Sequence, residues 1–144
     1  MRIQTFEDLS LVRKKISESK AADQGKTRIT VYGSTCGLAS GSKKVLDAVR
    51  KELQACGGDD VLVLEHGCMG CCFIEPYISI RQEGLGFTLY GYLDGTKAAE
   101  VVRSHVEKGE ILQKYRIDMS LPFFADQERR ITELLGEIDP LRIE

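Results

Sequence analysis

No apolar run in this chain exceeds a few residues, whereas a membrane-spanning helix takes about 20, so direct membrane insertion is not expected. No charge of one sign dominates either. Twenty Lys and Arg stand against 22 Asp and Glu, a formal net charge of −2, and such a chain is a poor coat for nucleic acid or anionic lipid. There is no internal repeat and no low-complexity tract. Fourteen Gly and three Pro among 144 residues are an ordinary share, which excludes the fibrous and disordered classes. The opening stretch mixes acids into an amphipathic pattern and holds no apolar block before a cleavage site, so no secretory signal is expected and the cytoplasm is the expected location. No G-x-G-x-x-G follows a strand-like run, and no dinucleotide site is visible. The stretch from Gly37 to Lys43 fails as a phosphate loop: its second Gly comes one residue early, and Lys44 stands where Ser or Thr should follow.

What is present is enough chain for one domain whose core need not depend on disulfides or metal. Five cysteines stand out: Cys36, Cys56, Cys68, Cys71 and Cys72. Their number is odd and three are clustered. With no export signal, that pattern points to metal or redox chemistry before structural disulfides.

The periodicities set out a framework. Phe6, Leu9, Val12 and Ile16 recur at helical spacing and predict a first helix over residues 5–22 with that stripe on one face. Residues 27–32 alternate and are rich in β-branched side chains, which predicts a strand. A small-residue turn over 33–41 leads into a helix over 42–55 with the stripe Val45, Leu46, Val49 and Leu53, stopped at Gly57 and Gly58. The run 61–64 predicts a short strand buried on both faces, followed by the cysteine loop 66–76. Residues 77–81 and 87–90 form a predicted hairpin. Asp94 caps a helix to Lys108 whose buried face holds Ala98, Val101, Val102 and one of Val106 or His105. A βαβ unit followed by a ββα unit packs as one four-stranded sheet with helices on its faces, an α/β architecture of thioredoxin-like type. Residues 1–26 are then an N-terminal helix and 27–110 the domain. Residues 111–144 lie outside the sheet, with Ile131, Leu134, Leu135 and Ile138 spaced for a short amphipathic helix.

On this framework the cysteines fall into place. Cys36 follows the first strand, and Cys68, Cys71 and Cys72 follow the second strand of the same βαβ unit. Parallel neighbouring strands release both loops at one edge, so thiols about thirty residues apart meet in one site. Thiolates, loop N–H donors and glycines that let backbone approach sulfur are what an iron–sulfur cluster needs. Cys56 reads as a small buried hydrophobe at a helix end. Cys68 and Cys71 make a C-x-x-C, but it does not open a helix straight after the first strand as a thioredoxin dithiol does. A zinc site from the four clustered thiols lacks the paired C-x2-C spacing. His66 and His105 read as structural histidines, and Glu75 with Pro76 as the turn that ends the loop. The basic runs Arg13 to Lys15, Lys43 with Lys44, and Arg129 with Arg130 read as solvated faces.

Residues 31–41, from Val31 through Cys36 to Gly41, and residues 67–76, from Gly67 through Cys72 to Pro76, resemble the thioredoxin-like [2Fe-2S] ferredoxin module that opens the NADH-binding flavoprotein subunits of complex I-type oxidoreductases and of NAD(P)-linked hydrogenases and formate dehydrogenases. Tyr90 to Tyr92, the helix through Val106 and the exit at Lys108 to Glu110 are similar to the module's second half. Pro122 to Arg129 and Gly136 to Pro140 are similar to the linker into the flavin domain. The resemblance implies an electron-carrying module of a NADH-dependent multi-subunit oxidoreductase. It implies a [2Fe-2S] cluster on Cys36, Cys68 and Cys72, with other subunits of the complex as partners and residues 111–144 leading toward a flavin domain absent from this chain. FMN, NAD and a [4Fe-4S] cluster are expected only outside it, and no complete catalytic site within it. The family pattern has a fourth ligand where this chain has Val31, and Cys71 is an extra thiol available as the fourth. The alternative is a clusterless thioredoxin-like domain that serves subunit docking and assembly.

Overall fold

The computed structural model describes residues 3–23, 25–58, 60–128 and 130. The strand-forming runs assemble into a four-stranded mixed sheet. The elements in chain order are α1 (Phe6–Ala22), β1 (Arg28–Tyr32), α2 (Thr35–Ser40), α3 (Ser42–Cys56), β2 (Leu62–His66), β3 (Ile78–Gln82), β4 (Gly86–Tyr90), α4 (Gly95–Val102) and α5 (Pro122–Ala125). The strand order is β2-β1-β3-β4. β1 and β2 run parallel, with Tyr32 opposite His66 at their ends. β3 is antiparallel to β1 and forms a hairpin with β4.

Side-chain alternation along the strands divides the apolar residues between two faces. On one face Ile29, Val31, Ile78, Ile80 and Tyr90 pack with Val45, Val49 and Leu53 of α3 and Ala98, Val101 and Val102 of α4. The predicted stripes of both helices are therefore the core. The second face carries a smaller layer of Tyr32, Cys71, Ile74, Tyr77, Leu89 and Phe124, with Cys68, Met69, Ile117 and Met119 against it. The cysteine loop lies over this second layer.

Three local features differ from the sequence reading. β2 is an edge strand with its first three residues half-buried and its fourth exposed, so it is not the strand buried on both faces that its apolar run suggested. The small-residue turn contains the six-residue helix α2, which Gly41, at φ +104°, ends and links to α3. On α1, Val12 is buried but Phe6 is 78% exposed and Leu9 lies in solvent as well, so the expected stripe finds little core to cover.

The segment after residue 110 packs back on the sheet. Ile117 N–H donates to the Leu89 carbonyl at 2.8 Å, and Gly91 N–H donates to that of Tyr115 at 3.1 Å. The fit is close: a Cβ at Gly91 would lie 2.9 Å from Ile117 Cδ1 and 3.0 Å from Ile74 Cβ. The predicted helix on Ile131, Leu134, Leu135 and Ile138, and the likeness over Gly136 to Pro140, lie outside the described residues. Among the described residues, no helix is long and apolar enough to cross a membrane.

α4 continues into a π-helical turn, Arg103–Glu107. The wider turn buries His105 and leaves Val106 half-buried, which settles the choice between them. His105 Nδ1 meets the Tyr90 hydroxyl at 2.6 Å, while that hydroxyl accepts from Leu112 N–H at 3.3 Å. Burial pushes the His105 pKa below its ordinary value. The unfolded chain takes up this proton near pH 6.5 and the folded chain resists it, so stability present at neutral pH is lost as pH falls. Between pH 6.5 and 5, wild type is expected to lose up to about 1.4 kcal/mol per pH unit relative to His105→Gln. Urea midpoints of both proteins across that range check this, and parallel pH profiles would contradict it.

Candidate metal centre

Both loops of the βαβ unit leave the same sheet edge because β1 and β2 are parallel neighbours in register. Gly33 N–H donates to the His66 carbonyl at 2.7 Å and holds the two exits together. Cys36 lies in the first turn of α2, four residues beyond Tyr32, and Cys68 lies two residues beyond His66. Cys72 begins a single 3₁₀ turn, Cys72–Ile74, which returns its side chain toward Cys68.

The Cys68 and Cys72 sulfurs are 3.7 Å apart. Cys36 approaches the same place. The Cys68 and Cys36 thiols beside Cys72 push its pKa up to about 11, since each neighbouring sulfur disfavours another thiolate. Three of the predicted site residues therefore converge. Cys36 and Cys72 are exposed and Cys68 is half-buried.

Cys68 is the best-supported thiol. Gly70 N–H donates to its sulfur at 3.2 Å, in a turn where Gly70 sits at φ +85°, a conformation that favours glycine. The Tyr77 hydroxyl donates to the same sulfur at 3.5 Å and accepts from Met69 N–H at 2.8 Å. Tyr77 is fully buried and stacked on Tyr32 with ring centroids 4.4 Å apart. Burial is the main cause that drives its hydroxyl pKa far up, so it stays a donor. Tyr77→Phe removes the acceptor used by Met69 and one donor to sulfur. We expect it to cost about 1–3 kcal/mol in urea unfolding. An unchanged midpoint would show that the hydroxyl does not hold the loop.

The remaining cysteines are placed differently. Cys71 is fully buried in the second-face layer, and its thiol lies 3.8 Å from the Met69 carbonyl. It does not join the thiols that perturb Cys72. Cys56, expected to be buried, is half-buried against the α3 core. Val31, in the family's fourth-ligand position, belongs to the core beneath α3 and α4. His66 is buried at the end of β2.

One residue assigned only to a turn belongs to the site. Glu75 lies in the loop between Cys72 and β3, and both of its carboxylate oxygens are buried with the Cys68 thiol set against them. Burial raises its pKa, and the nearby Cys68 thiol opposes that shift. A Cβ at Gly37 would stand 2.9 Å from Glu75 Oε2 and 2.7 Å from the Tyr32 carbonyl, so glycine at 37 is what lets the carboxylate lie under α2. A sequence signal existed: Glu75 is the only formally charged residue between Glu65 and Arg81.

The residues fit a thiolate-bound metal. Two thiolates on one tetrahedral metal, with bonds of about 2.3 Å, stand about 3.8 Å apart, close to the 3.7 Å between Cys68 and Cys72. Among the described residues, no three Cys, His, Asp or Glu side chains enclose a single ion. The arrangement is a close pair with a third thiol beside it.

No protein-family model matches the chain. It is 37% identical over 108 residues to the NADP-reducing hydrogenase subunit HndB of Solidesulfovibrio fructosivorans, covering 75% of this chain and 86% of that one. It is 29% identical over 77 residues to a 2Fe-2S ferredoxin of Clostridium pasteurianum, covering 53% of this chain and 72% of the relative. Among solved structures, the thioredoxin-like [2Fe-2S] ferredoxin from Aquifex aeolicus superimposes with a TM-score of 0.55 at 20% identity, over 65% of this chain and 97% of that one. At that identity the likeness establishes the fold, which is thioredoxin-like.

Proposed function

Because the chain belongs to the family of the hydrogenase subunit HndB, we propose that it is an electron-carrying module of a NAD(P)H-linked multi-subunit oxidoreductase, with a [2Fe-2S] cluster held through Cys36, Cys68 and Cys72. The observation that carries this reading is the convergence of those three thiols from two loops, with Gly70 N–H and Tyr77 O–H aimed at one sulfur. When bound, such a cluster supplies one-electron chemistry at sulfur-ligated iron, with a potential set by hydrogen bonds to sulfur and by solvent exposure.

The chain's own part is to bind and to tune. The thiols must lose their protons to bind, so loading releases protons and is favoured as pH rises. Gly70 and Tyr77 then place donor hydrogens on Cys68, which stabilises added negative charge at the sulfur. Exposed apolar residues flank the thiols: Leu38 follows Cys36 by two positions and is 59% exposed, and Phe73 follows Cys72 and is 52% exposed. They support contact with partner subunits in a cytoplasmic complex, where flavin, nicotinamide and further clusters bind. Docking alone would not require three converging thiols with donors on their sulfur.

The test is a reductive titration of the anaerobically loaded chain. The visible absorption is expected to bleach on uptake of one electron per chain and to return on reoxidation. A loaded chain that takes up no electron would overturn the electron-carrying role.

A further inference from the structure

Three thiols leave a two-iron cluster one protein ligand short, and the structure holds a fourth donor group beside them. We infer that Glu75 completes the ligand set with its carboxylate; this rests on the cluster reading above. Both Glu75 oxygens are buried, a costly place for a carboxyl group, and the hydrogen-bonding group set against them is the Cys68 thiol. Its neighbours are the site itself: the Cys68 thiol and, 2.9 Å from Oε2, the point a Cβ on Gly37 would occupy. Gly37 directly follows Cys36, so the carboxylate lies between the two cysteine loops.

Two other candidates for the fourth place are less favourably set. Cys71 is turned into the second-face layer with Tyr32, Ile74 and Leu89. Val31 lies in the core beneath α3 and α4 and has no donor atom. A carboxylate is a harder ligand than thiolate and favours ferric over ferrous iron. Cys68 and Cys72, spaced 3.7 Å apart, would share one iron, which leaves Cys36 and Glu75 for the other. The two irons of the oxidised cluster would then be inequivalent, one with sulfur ligands only and one with an oxygen.

Mössbauer spectroscopy of the full chain reconstituted with ⁵⁷Fe and sulfide reads this in wild type. Two unequal iron sites are expected, and two identical sites would overturn the proposal. Glu75→Gln keeps shape and removes the charge, so its unloaded form should melt at or above the wild-type temperature while its retained iron falls by about 10–100-fold. Glu75→Cys should regain the iron, make the two sites alike and strengthen the visible thiolate-to-iron absorption. Full iron with a wild-type spectrum in either variant would overturn the assignment of Glu75. If wild type itself takes up no iron and sulfide, the underlying cluster reading fails, a result distinct from a loaded wild type with identical irons.

Discussion

A chain carrying Cys68→Ser leaves anaerobic reconstitution colourless, with bound iron reduced by about 10–100-fold. Cys68 is where the site's interactions meet: its sulfur pairs with Cys72 at 3.7 Å and accepts from Gly70 at 3.2 Å and from Tyr77 at 3.5 Å. Serine places a harder and shorter donor there, which suits iron–sulfur chemistry poorly. The loss concerns the site more than the fold. Cys68 is half-buried at the rim of the second-face layer, so unloaded Cys68→Ser should unfold within about 1 kcal/mol of wild type. Cys71→Ala is the control. It trims the apolar layer and should keep the colour. Iron content and the visible spectrum check both variants; a coloured Cys68→Ser or a colourless Cys71→Ala would contradict this description of the site.

The second large effect is on stability. Phe124 is 8% exposed and shares its layer with Ile74, Tyr77 and Leu89. Its ring also meets Phe123 at 5.0 Å and Phe73, which follows Cys72, at 6.2 Å between centroids. Phe124→Ala is therefore expected to cost about 3 kcal/mol, a large share of a domain stability of about 5–15 kcal/mol. The same change should loosen the cysteine loop, because Ile74 and Tyr77 lose a wall of their packing. Urea unfolding measures the first effect, and amide exchange over residues 67–75 the second. A cost below about 1 kcal/mol would show that the segment through Phe124 is no part of the folded unit, as a pure linker would be.

These two variants bear on what the sequence could and could not disclose. The helix stripes of α3 and α4 and the two inner strands, β1 and β3, were legible because their periodicities survive packing: Val45, Val49, Ile29, Ile80 and Val101 are all fully buried. The meeting of the cysteines was legible too, since it follows from parallel β1 and β2 releasing both loops at one edge. What periodicity could not disclose was which side chains the loops turn inward. Cys71 and Cys72 are adjacent, yet one is buried and the other exposed, a choice made by the 3₁₀ turn at Cys72–Ile74. Glu75 was hidden for a related reason. An acid before a proline reads as a turn, and only the tertiary fit under Gly37 shows that it is buried beside the thiols. The place of Phe124 was also invisible, because residues 111–121 before it have no period and are held by isolated contacts such as the bridge between Tyr90 and Arg116.

The most direct measurement is chemical analysis of the full chain after anaerobic loading with iron and sulfide. The account predicts about two irons and two acid-labile sulfides per chain, bound stably enough to survive gel filtration. A folded chain that emerges with neither would contradict it.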